Sequence, residues 1–229
     1  MTRNPRGIAS RYLARRPGPV ILDEGAPSDW RRRARKLRRV GITAAPVGLA
    51  LRRVYANAGE GRPLEEVATE IVRVPTLNGE DARAALRRAG ADVAVSLDNV
   101  LIREATFALP AHGTINVHHG AVPEYRGGPP VFWELLDGRE TVGFTIHLID
   151  TGIDTGPVLA EGEVPIERRR SLAETLAATI PVLHEASLDA LERVLDDGVF
   201  DGRPQPPGGR HRTTPTLGDY LRVRRTLRD

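Results

Sequence analysis

Short apolar runs alternate along this chain with longer segments of helical period, and that alternation dictates the class of fold. Val20 to Asp23, Ile71 to Val74, Asp92 to Ser96 and Thr114 to His118 each read as a strand, followed by Thr141 to Ile149 and Val158 to Val164. Runs of this length, bounded by turn residues, fit strands buried in a sheet. Around them lie helical segments at Ile8 to Arg16, Asp29 to Val40, Pro46 to Tyr55, Asn78 to Ala89 and Val131 to Leu136, with a helical turn at Arg103 to Ala108. Asn78 with Asp81 forms a variant capping box, and Ser171 with Glu174 a true one that opens a long helix closing before Gly198. Pro181 should kink or split that helix, because proline removes a backbone donor. Strands alternating with helices predict an α/β domain with a mostly parallel sheet covered on both faces. Its expected extent is residues 1–200. Residues 201–229 read as a Pro/Gly-rich extended arm with a short basic helix from Leu217 onward, left to pack on the core, line a cleft or mediate a homodimer.

Composition removes several chemistries. Cysteine is absent, so disulfides, thiolate nucleophiles and thiolate metal sites are excluded. The 33 basic residues nearly balance 30 acidic ones, for a net charge of +3. The one concentrated basic run, Trp30 to Arg39, places Trp30, Ala34 and Leu37 at helical spacing and reads as a solvated helix, not as a nucleic-acid surface. No apolar stretch approaches the roughly 18 residues of a membrane span. The N-terminus lacks the apolar core of a signal peptide, so a cytoplasmic location is expected.

Groups able to move protons concentrate in two stretches, INVHHGAVPEYRGGPPVFW at residues 115–133 and TVGFTIHLIDTGIDTG at residues 141–156. Ligands of such sheets sit beyond the carboxyl ends of the strands, where Thr114 to His118 runs straight into a Gly- and Pro-rich loop. Side chains alternate along a strand, so Asn116 and His118 share one face while His119 points away from it. Asp154, in a second Gly-rich loop, is free to fold back towards His118 and tune its imidazole. An amide donor, a histidine and a carboxylate together suit acyl transfer to an amine. The same histidines with Asp150 could be metal ligands, but adjacent strand residues diverge and no H-x-x-x-H spacing occurs, so no metal is expected. Asp150 reads as a turn-capping residue, His119 as structural, and His147 as a satisfied residue behind the site. His112, His184 and His211 carry no message.

The stretch from Asn116 to Trp133 resembles the signature of the folate-dependent formyltransferases, which usually reads N-x-H, a hydrophobic-Pro step, Y-R-G, Pro and an aromatic. Gly143 to Gly156 resembles the family's second signature. The resemblance implies a Rossmann-like formyltransferase fold and transfer of a one-carbon unit from 10-formyltetrahydrofolate to a primary amine. It implies that Asn116 stabilises the oxyanion, that His118 relays protons and that Asp154 holds His118. It places the folate against Val100, Leu101, Ile102, Ile149, Asp150 and Ile153, and the acceptor near Tyr125, Arg126 and Gly127. The family's first strand, with the phosphate-holding turn that follows it, is expected to be missing, because Ile8 to Arg16 reads as the helix after it. Elimination among family members leaves a small amine, a nucleotide-linked amino sugar being the commonest acceptor of short ones. The alternative is a weakly active or non-catalytic relative that binds folate or another ligand.

Overall fold

The computed structural model describes residues 1–25, 44–58, 61–98 and 101–228. The helix expected over Asp29 to Val40 lies outside the described residues, as does Val100. Strand β1 (Pro19–Asp23) pairs in parallel with β2 (Glu70–Val74), and β3 (Ala94–Ser96) in parallel with β4 (Thr114–His118). From β4 the sheet turns antiparallel: β6 (Thr141–Leu148) lies beside β4, and β7 (Val158–Pro165) beside β6. A short parallel pair joins β5 (Arg126–Gly127) to β8 (His211–Arg212). Three of these five pairings are parallel, and an antiparallel hairpin completes the α/β sheet. All of β4 except Asn116 is buried, as a strand covered on both faces requires.

Helix α1 (Ile8–Arg15) turns Ile8, Ala9 and Leu13 inward. Helix α2 (Ala44–Asn57) and the single turn α3 (Leu64–Val67) follow, and α4 (Glu80–Ala89) ends on Gly90 in the left-handed conformation. The cap expected at Asn78 does not form; Gly79 precedes the helix and no side chain caps it. The Asn78 amide instead accepts the Arg103 N–H at 2.7 Å and donates to the Leu101 carbonyl at 3.0 Å, fixing a distant loop. Short helices α5 (Glu104–Phe107) and α6 (Phe132–Leu136) flank β4 in the chain. Helix α7 (Leu172–Asp197) is capped as expected, Ser171 Oγ accepting the Glu174 N–H at 3.2 Å, and it runs unsplit through Pro181. Its apolar face carries Leu176, Leu183, Leu188 and Leu191 into a core shared with Ile115, Ile146 and Phe132. Helix α8 (Leu217–Thr226), opened by a Thr216–Asp219 capping box, packs against α6 and buries Val223, so the C-terminal arm lies on the core. Among the described residues no helix is long and apolar enough to cross a membrane.

At the centre of the sheet, Met1 and Thr2 lie between β1 and β3, hydrogen-bonded on both sides. The Thr2 N–H donates to the Ile21 carbonyl at 3.0 Å and its carbonyl accepts the Asp23 N–H at 2.9 Å. On the other side the Met1 amine donates to the Val95 carbonyl at 2.6 Å, and the Met1 carbonyl accepts the Leu97 N–H at 2.9 Å. A cavity of about 580 Å³ continues the same line between Pro19–Ile21 and Val93–Val95. Thus a two-residue seam links the β1/β2 pair to the rest of the sheet.

Candidate active site

A cavity of about 670 Å³ opens at the carboxyl end of β4, where Asn116 and His118 project together. Strand alternation put them on one face, and the structure brings Asp154 to both. Asp154 Oδ2 lies 3.4 Å from His118 Nδ1, and Oδ1 lies 3.5 Å from Asn116 Nδ2. The Gly127 N–H anchors the carboxylate from the opposite side at 2.8 Å. Asp154 adopts φ +52°, a left-handed conformation that aspartate tolerates better than most residues.

The second nitrogen of His118, Nε2, lies 2.7 Å from the Tyr125 carbonyl. A carbonyl only accepts, so Nε2 carries a hydrogen. Nδ1 is then the nitrogen able to take a proton, and the imidazolium so formed would donate to both neighbours. Burial pulls the His118 pKa below its ordinary value, while the Asp154 charge and the Tyr125 carbonyl pull it back up. Desolvation would raise Asp154, yet His147, the nearby His118 and the Gly127 N–H outweigh it and hold the carboxyl near about 2. A proton carrier thus rests between opposed influences, the balance general acid–base catalysis needs.

His147, read from sequence as a satisfied residue behind the site, is hydrogen-bonded but lines the cavity itself. Its Nδ1 lies 2.8 Å from the Leu148 carbonyl and therefore donates, while Nε2 faces both Asn116 Nδ2 at 3.2 Å and Asp154 Oδ1 at 3.6 Å. Asn116 Nδ2 makes only a long 3.5 Å contact to Asp154, which a ligand oxygen would replace.

Leu101, Ile102, Ile149, Asp150 and Ile153 line the same cavity. Asp150 also caps its turn, accepting the Gly152 N–H at 3.0 Å and the Thr155 hydroxyl at 2.7 Å. Gly127 lines the cavity, but Tyr125 and Arg126 do not. The Tyr125 hydroxyl donates to Asp137, and Arg126 donates to the Asp154 and Gly208 carbonyls and to Gln205. These two side chains brace the loop. Gly120 permits it to close over His118, since a Cβ there would stand 2.4 Å from the Tyr125 carbonyl oxygen and 2.6 Å from His118 Nε2.

Several wall residues carry no sequence signal of their role. Asn4, Arg6 and Gly7, in the loop after the seam, occupy the region expected to be lost with the first strand. Tyr55, His119 and His184 also line the cavity. Gln205 stands outside the cavity, yet its Nε2 donates to the Asp154 carbonyl at 3.0 Å and the Gly156 carbonyl at 2.8 Å. Among the described residues no group of three or more His, Asp or Glu side chains is arranged to hold a metal.

The family model described as formyl transferase matches residues 53–193, which contain Asn116, His118, His147 and Asp154. A methionyl-tRNA formyltransferase of Clavibacter sepedonicus is 32% identical over 181 residues, 74% of this chain and 58% of that one. The Anaeromyxobacter methionyl-tRNA formyltransferase is 36% identical over 154 residues, 62% of this chain and 49% of that one. The chain spans about half the length of such relatives, or less. A sugar N-formyltransferase from Shewanella has the same fold, with a TM-score of 0.54 at 16% identity over 92% of this chain and 87% of that one. So does a formyltransferase from Anoxybacillus kamchatkensis, solved with a formamido UDP-sugar and tetrahydrofolate, with a TM-score of 0.50 at 21% identity over 85% of each chain. By the span of the family match and the motif residues it contains, this chain belongs to the formyl transferase family.

Proposed function

We propose that the cavity transfers a formyl group from 10-formyltetrahydrofolate to the primary amine of a small acceptor, a nucleotide-linked amino sugar in particular. The observation that carries this reading is the convergence of Asn116, His118 and Asp154 on one wall of one cavity. The folate would lie along Leu101, Ile102, Ile149, Asp150 and Ile153, a largely apolar wall suited to a flat ring. The acceptor amine attacks the formyl carbon, and the carbonyl oxygen becomes an oxyanion within reach of Asn116 Nδ2–H. Such a donor lowers a barrier by about 2.7–4 kcal/mol. His118 takes the proton released by the attacking nitrogen and delivers it to N10 as the carbon–nitrogen bond to folate breaks. The products are a formamide and tetrahydrofolate, with every proton accounted for. Asp154 stabilises the imidazolium while it carries that proton. The acceptor is a sugar on the strength of what the Anoxybacillus protein was solved with; the methionyl-tRNA relatives supply the competing acceptor.

Calorimetry with tetrahydrofolate, followed by formyl consumption on a UDP-linked amino sugar and on methionyl-tRNA, tests the reading. Binding with turnover of the sugar supports it, and His118→Ala should then lower kcat by about 10²- to 10⁴-fold. Absence of folate binding at millimolar concentration sinks it. Binding without turnover of any amine selects the non-catalytic alternative.

A further inference from the structure

The cavity wall contains a second pair of imidazoles that the transfer chemistry does not use. His119 stacks on His184 of α7 with ring centroids 5.0 Å apart and planes 26° from parallel, and both line the cavity. His119 Nε2 lies 3.2 Å from Ser187 Oγ, whose single proton goes to the His184 carbonyl at 3.0 Å. Nε2 must therefore be the donor, and His119 is held as one tautomer with Nδ1 a bare acceptor. With Nε2 turned towards α7, the Nδ1 edge is the one left to the cavity. His184, 95% buried by its 5% exposure, likewise has an Nδ1 without a partner among the described residues.

Both rings stay uncharged at neutral pH. Burial, then the neighbouring His184 and His118, push His119 well below its ordinary value. Burial and the Arg11 charge bring His184 down to about 4. The neutral acceptor at His119 Nδ1, on a ring that lines the cavity, favours a ligand that brings a hydrogen-bond donor and penalises one that would leave it covered and unpaired. Hydroxyl groups fit that requirement without placing a cation beside Arg11. The ring faces also offer an apolar platform to the C–H side of a sugar ring.

We infer that the His119–His184 pair is the specificity-determining surface for the acceptor, selecting a polyhydroxylated amine over an apolar amine of similar size. The inference rests on the formyl-transfer reading and names the chemical class of its acceptor. Neither ring acts in the transfer step; the pair sets which amine reaches His118.

The test titrates the protein with glucosamine and, separately, cyclohexylamine, with and without tetrahydrofolate, following the imidazole ¹⁵N resonances. His119 should appear as a neutral Nε2–H tautomer whose Nδ1 resonance moves with glucosamine and not with cyclohexylamine. His119→Phe, which preserves the stack, should weaken glucosamine at least tenfold while leaving cyclohexylamine and tetrahydrofolate unchanged; His119→Asn should restore part of the loss. Equal affinity of the two amines for the unaltered protein, or equal weakening of both in His119→Phe, overturns the inference. Loss of tetrahydrofolate binding would instead count against the formyl-transfer reading, because the sugar titration is also read without folate. Should His119→Phe fail to fold, the ¹⁵N tautomer and the amine comparison on the unaltered protein decide the matter alone.

Discussion

Glu134 lies fully inside the protein with neither carboxylate oxygen hydrogen-bonded among the described residues. Burial raises its pKa to about 7; the backbone N–H groups near it and Arg212 pull back only in part, none of them at hydrogen-bond geometry. An acid whose folded pKa exceeds its unfolded value holds its proton in the native state after the unfolded state has released it. Stability therefore falls as pH rises from about 4.5 to 7, by about 3 kcal/mol at 1.36 kcal/mol per unit. Glu134→Gln should raise the melting temperature at pH 8 and leave it nearly unchanged at pH 4, measured by calorimetry across that range. His184 acts with the opposite slope. Its folded pKa of about 4 lies below the unfolded value, so the native state resists a proton that the unfolded state accepts, and stability falls as pH drops from about 6.5 to 4. The two slopes offset one another between pH 5 and 6.5. Glu134→Gln should expose the histidine slope as a clear loss of stability on acidification that the unaltered protein partly conceals.

At the scale of elements, the loop between β6 and β7 is held from outside the cavity. Gln205 donates to the carbonyls of Asp154 and Gly156 and accepts from Arg126, so the C-terminal arm fixes the loop that carries the carboxylate. Gln205→Ala should lower kcat by roughly tenfold to a hundredfold through a displaced Asp154, with little change in melting temperature; steady-state kinetics beside a thermal scan separates the two effects. Ser171→Ala removes the cap of α7 and should cost about 1 kcal/mol, readable as a lower denaturant midpoint. That cap was legible in sequence because its partners are three residues apart. So were Asn116 and His118, since strand alternation alone places them together. Asn78 was misread because its amide serves a loop more than twenty residues away, a competition no local pattern records. Gln205 was invisible for the same reason, being an ordinary polar residue in a Pro/Gly-rich arm. The His119–His184 stack joins a strand end to a helix far along the chain, and neither neighbourhood announces the other.

For the whole molecule, the α/β class followed from the alternation of apolar runs and helical segments. The antiparallel β6/β7 hairpin did not, because two buried strands read alike whichever way they run. Among the described residues, the backbone hydrogen bonds between the β1/β2 pair and the larger sheet run through Met1 and Thr2, beside a cavity of about 580 Å³. Few backbone bonds and poor packing mark a region of low local stability. Amide exchange should accordingly be faster throughout β1 and β2 than in β4 and β6, each of which pairs with a strand on both sides and encloses the main core. Equal protection of the two halves would contradict this account.

Met1 and Thr2 act as a rivet in mid-sheet, bonded to Ile21 and Asp23 on one side and to Val95 and Leu97 on the other. A substitution at either residue would therefore behave as a change inside the protein, felt by both halves of the sheet at once.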